Sequence, residues 1–189
     1  MHLAYTPEAN ALLDKDPLAL LIGMLLDQQI PMEKAFTSPA VLAERMGGDL
    51  DARKIAAADP DDLEQIFRTP PALHRFPAAM AKRVQQLCRI VVEQYDGDAA
   101  NIYADVQDGA ELRSRIANLP GFGDQKAKIF VALLGKQVGV RPDGWQAAAG
   151  DYGPDGVFRS VADVVDDASL AKVRTYKQQI KAAAKAGAS

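Results

Sequence analysis

The stretch Leu119-Pro120-Gly121-Phe122-Gly123 constrains this chain more than any other. Glu111 to Asn118 before it reads as a helix, and Asp124 to Leu134 after it repeats Ile129, Phe130, Leu133 and Leu134 at helical spacing. So tight a link between two helices requires positive φ, which glycine supplies at little steric cost. Pro120 stops the first helix, because it has no N–H and restricts the residue before it. The N–H groups opening the second helix are unpaired and lie at the positive end of its dipole. Residues 111–135 therefore predict two helices joined by a tight hairpin, whose glycine turn and following N–H groups form a socket for a phosphate. Pro-Gly punctuation also joins helices that touch no nucleic acid, so the turn alone leaves both readings open.

The remaining pattern is helical as well. Asp16-Pro17 is a good N-cap and first residue, with Leu18, Leu21, Ile22, Leu25 and Leu26 on one core face. Helices are expected at Pro7 to Leu13, Met32 to Met46, Asp51 to Ala57, Asp61 to Arg68, Ala78 to Gln94, Val157 to Val165 and Ser169 to about Lys185. No alternating β pattern occurs, so the fold class is all-α. The apolar run Pro17 to Leu26 is too short to span a membrane. The N-terminus carries no export signal, and the single cysteine, Cys88, fits a reducing cytosol and excludes a four-cysteine iron–sulfur cluster within this chain. His74, one of two histidines, has no partner at ligand spacing.

The formal net charge is −3, but it is unevenly spread. Residues 1–70 hold 12 acidic against 6 basic side chains, while residues 111–145 hold six cations against three carboxylates. A small positive excess at the hairpin suits a protein that docks a few phosphates, although a solvated helix face explains each charge equally well.

The longer pattern Leu-Pro-Gly-x-Gly-x-x-x-Ala, from Leu119 to Ala127, resembles the hairpin of the helix-hairpin-helix (HhH-GPD) DNA glycosylase superfamily. Asp143-Gly144 follows at the spacing of that superfamily's catalytic aspartate, and on its own reads as a helix N-cap with Gln146 completing a capping box. Asp27-Gln28-Gln29-Ile30-Pro31 is similar to the turn whose glutamine fills the gap left by a flipped nucleotide, Gln28 being the match and Gln29 the next choice. Phe76 falls where relatives place an apolar wedge, with Arg75 standing where they have a turn glycine.

The resemblance implies two helical lobes, one of residues 18–143 and one of 1–17 with 144–189, with the active cleft between them. It implies double-stranded DNA with a damaged base as partner, a monomeric cytoplasmic protein, and contacts through Gly121, Phe122, Gly123, Lys126 and Lys128. Asp143 would stabilise the cation-like sugar as the base leaves. Members that also cut the strand carry a lysine two residues after the second hairpin glycine, where this chain has Gln125. This predicts a monofunctional glycosylase, and the want of an obvious acid favours alkylated purines that leave readily. The alternative is a hairpin protein that binds damaged or distorted DNA without chemistry. The family hairpin commonly holds a monovalent cation through carbonyls that would here belong to Ala117, Leu119 and Phe122, the one cofactor expected. Asp124, opening the second helix, would repel DNA unless it points away.

Overall fold

The computed structural model describes residues 1–187, which contain helices and no strand. The helices are α1 (Pro7–Lys15), α2 (Pro17–Leu26), α3 (Met32–Arg45), α4 (Ala52–Ala57), α5 (Pro60–Arg68), α6 (Pro77–Tyr95), α7 (Gly109–Ala117), α8 (Asp124–Leu133), α9 (Trp145–Ala148) and α10 (Asp167–Gly187). None is long and apolar enough to cross a membrane.

Helix α2 is the centre of the packing. The Asp16 carboxylate accepts from the N–H groups of Leu18 and Ala19, and Pro17 opens the helix, as the sequence predicts. Every residue from Leu18 to Leu26 is buried, so the helix is enclosed on all sides and not on one face alone. Each large aliphatic side chain hidden in this way contributes about 1.5–3 kcal/mol. Gly23 lets the Phe36 ring of α3 lie directly on the α2 backbone, since a Cβ there would stand 2.6 Å from Phe36 Cδ1. Helices α4 and α5 pack on α6, and Gln85 closes the end of α4 by donating to the carbonyls of Ile55 and Ala58.

The α7–α8 hairpin forms as expected. Phe122 tucks under the turn with its ring 5.8 Å from that of Phe130, and Leu119 is buried beside it. Gly121 has φ +81, and a Cβ there would meet Leu25 Cδ1 at 2.7 Å. Glycine is thus required twice, by its dihedral and by the closeness of the turn to α2.

Two expectations fail beyond α8. The helix continues through a wider π-turn over 134–138 and closes on Gly139 at φ +86, so only a short link precedes Asp143. Gly144, at φ +72, then occupies the N-cap of α9, and the Asp143 side chain makes no capping bond. The proposed capping box with Gln146 therefore does not form. The helix predicted over 157–165 shrinks to one 3-10 turn, Val161–Asp163. Its reason is Asp163, whose buried carboxylate accepts from the backbone N–H groups of Arg159 and Ser160 and from Lys136 Nζ, holding the chain in a non-helical course. Tight packing at Gly109 seals this region: a Cβ would lie 2.5 Å from Trp145 Cα and 2.7 Å from its N. Because those are backbone atoms, Gly109→Ala should destabilise by roughly 1–3 kcal/mol. Urea unfolding should show a lower midpoint with an unchanged slope.

Candidate nucleic-acid interface

The side chains of Thr6, Asp16, Asp51, Asp59 and Asp108 cap the starts of α1, α2, α4, α5 and α7. Helices α3, α6 and α8 start at Pro31, Phe76 and Gly123 with no side-chain cap. Their opening N–H groups stay open to an outside acceptor.

Side chains at the end of α2 tie the three preceding loops together. Lys126 Nζ, from the first turn of α8, donates to the carbonyls of Met24 (2.9 Å) and Leu25 (3.0 Å). His74 Nε2 lies 3.2 Å from Leu26 O and 2.9 Å from Gln28 O, while its Nδ1 accepts from Phe76 N–H at 3.0 Å. Those partners fix the neutral tautomer with its proton on Nε2. Burial pushes the His74 pKa below its ordinary 6.5. Gln28 donates through Nε2 to Leu25 O, and its Oε1 accepts from Arg83 of α6. The hairpin turn, the 27–31 turn and the 74–76 loop thus meet around one helix end.

The structure redistributes the roles expected of individual residues. Gln28 is folded back with both ends of its amide engaged, so it is Gln29, exposed and at φ +57, that is presented outward. A non-glycine residue in that region is uncommon and marks strain. Phe76 is 41% exposed, with the Arg75 guanidinium 5.4 Å from its ring centroid. The Phe122 ring is buried and its N–H is spent on Leu119 O, which leaves Gly121 and Gly123 as the exposed residues of the turn. That bond also takes up part of the acceptor capacity of Leu119 O, one of the three carbonyls suggested for a cation.

Lys126 is not the outward-facing cation the sequence suggested. Its amine is held inside, and burial lowers its pKa to about 8. Lys128 pairs with Asp124 at 2.9 Å, and Arg113 also binds that carboxylate. Arg113 first and Lys128 second hold Asp124 below the usual carboxylate range. Arg115 pairs with Glu111, Lys136 with Asp163, and Arg141 donates to Gly135 O. All six cations of the positive stretch therefore have intramolecular partners, so what the hairpin presents to an anion is chiefly backbone N–H.

Asp143 lies at the far end of the hairpin. Its carbonyl accepts from Gly109 N–H at 2.8 Å, at the start of α7, and its side chain is exposed. Gln125 sits in the first turn of α8, eight residues before the last α-helical residue, Leu133, or about 12 Å at the usual rise. After Asp143 the chain runs back along α8, with Trp145 against Gly135 and Gly150 against Lys128. It is Tyr152 that arrives at the slot of the strand-cutting lysine, its hydroxyl accepting from Gln125 Nε2 at 3.0 Å. The sequence offered no sign of that pairing. Two recesses, of about 520 Å³ between α5 and α6 and about 540 Å³ between residues 157–159 and α10, are lined by neither Asp27, Gln29, Gln125 nor Asp143.

Residues 22–186 match the family model described as HhH-GPD superfamily base excision DNA repair protein. The chain belongs to this superfamily. Its members are DNA glycosylases, and the all-α architecture with the hairpin at α7–α8 is theirs. No curated protein matches the chain significantly. Within this HhH-GPD protein, Lys126 ties the hairpin to the end of α2, from which the 27–31 turn leads.

Two outcomes follow from that coupling. Lys126→Met removes both bonds to the end of α2 and should cost roughly 1–3 kcal/mol, read by denaturant unfolding. His74 charges more readily unfolded than folded, so acidification from pH 6.5 down through its lowered folded pKa should reduce stability. A His74→Gln variant should flatten that part of the stability profile.

Proposed function

We propose that this protein is a monofunctional DNA glycosylase that removes a damaged base, with alkylated, already cationic purines as the preferred class. A base inside a stacked duplex is out of reach, so the nucleotide must rotate outward. The uncapped start of α8 would take a backbone phosphate beside the lesion, Gln29 would enter the vacated stack, and Phe76 would wedge the neighbouring step. Unstacking a step costs a few kcal/mol, which contacts of this kind can offset.

The observation that carries the reading is that Lys126 ties an uncapped hairpin helix to the end of α2, which leads directly into the turn with the strained, exposed Gln29. Gln125 has no nucleophilic nitrogen, and the Lys126 amine is turned into the end of α2, which supports base release without strand cleavage. Asp143 is the carboxylate that family spacing selects for the sugar cation. Its place at the far end of α8 favours a second reading, a superfamily member that binds damaged DNA without cutting a base.

Release should be measured under single turnover on duplexes carrying alkylated, deaminated and oxidised bases. The wild type should free at least one alkylated purine, and Gln29→Ala should slow that release at least tenfold. Binding to every duplex with no release would favour the second reading. Borohydride should trap no covalent adduct, whereas a trapped enzyme–DNA species would contradict the monofunctional assignment.

A further inference from the structure

Asp27 stands where ordinary helix chemistry disfavours a carboxylate. It is the residue following α2, its own N–H bonding back to the carbonyls of Gly23 and Met24, so it sits at the negative end of the helix dipole. Its side chain is half-buried and, among the described residues, accepts no hydrogen bond. The helix-end placement costs stability, and breaches of local rules that bring no folding gain concentrate at functional sites.

Charged groups of three other helices act on it. Lys126 faces it from α8 and Lys177 from α10, with the Glu33 carboxylate of α3 opposing them. Arg174 of α10 in turn binds Glu33, which moderates that repulsion. Four elements converge on this one carboxylate, two residues before the exposed Gln29 and on the amine that anchors the hairpin.

Resting on the glycosylase reading above, the geometry points to Asp27 as the catalytic carboxylate that faces the sugar of the extruded nucleotide. The C1′–N bond breaks with its electron pair leaving on the base, and positive charge develops on the sugar opposite Asp27. A water oxygen then bonds C1′. Its proton passes to the Asp27 carboxylate and on to solvent, since a cationic alkylpurine departs as the neutral base, leaving an abasic site and the free base. Burial raises the Asp27 pKa, so the group is a better proton acceptor than an exposed aspartate, while Lys177 and Lys126 pull in the opposite direction. A recessed carboxylate is also worth more against a developing cation than one in water.

The test uses the full chain and the best substrate of the lesion panel. Asp27→Asn should slow single-turnover release by about 100-fold or more, the usual effect of removing one such electrostatic group. It should keep binding to a duplex with a stable abasic-site analogue within a few-fold. Its melting temperature should stay level or rise, because the neutral amide relieves a misplaced charge. Wild-type release should also fall on acidification at a pH above the ordinary carboxylate range. Normal release by Asp27→Asn would overturn the assignment, as would loss of folding and binding together with activity. Loss of release in Asp143→Asn alone would return the role to that residue. A wild type inactive on every lesion would overturn the glycosylase reading itself and this assignment with it.

Discussion

The last carbonyls of α2 hold the hairpin turn, the 27–31 turn and the 74–76 loop in register. A helix end leaves four such acceptors without partners, and here side chains from outside the helix supply several of them. Lys126 reaches over from the hairpin and His74 from the loop before α6, while Gln28 folds back from the turn itself. One set of charge-assisted and neutral hydrogen bonds thereby fixes the distance between an uncapped helix start, a strained glutamine and an exposed phenylalanine. Burying an ammonium for this purpose is costly, as the lowered pKa of Lys126 records. Such a cost is tolerated where relative placement matters more than stability.

The cations of the hairpin follow the same economy. Arg113 and Lys128 neutralise Asp124, and Lys136 satisfies Asp163 inside the protein. Asp124 consequently points into an ion-pair network and not at an approaching strand. Phosphate recognition by backbone N–H is geometric and local, whereas a basic patch would grip DNA anywhere along its length. On the proposed reading, a protein of modestly negative net charge has reason to prefer the first.

Much of this was legible in the residues. The Leu-Pro-Gly-x-Gly run predicted the hairpin, because proline and two glycines leave few other courses for the backbone, and Asp16-Pro17 marked the start of α2. What escaped depends on contacts distant in sequence. Lys126 looked like a surface cation because nothing local shows that α2 ends against it, 101 residues earlier for Leu25. Val157 to Val165 looked helical, but a buried carboxylate overrode its apolar spacing. Asp143 looked like a cap since the sequence does not show that α8 runs on through a π-turn, nor that Gly144 takes the cap position. Asp27 did leave a sign, an acid at the negative end of an apolar helix, which contradicts the usual charge preference.

The central claim is that the hairpin turn, the 27–31 turn and the 74–76 loop form a single DNA-binding face. Backbone amide chemical shifts followed during titration with a short duplex containing an abasic-site analogue test it most directly. The account predicts that the largest changes fall together on residues 27–31, 74–76 and 121–126, with the α5–α6 recess unmoved. Changes centred on that recess or on residues 157–159, with the hairpin amides unaffected, would contradict it.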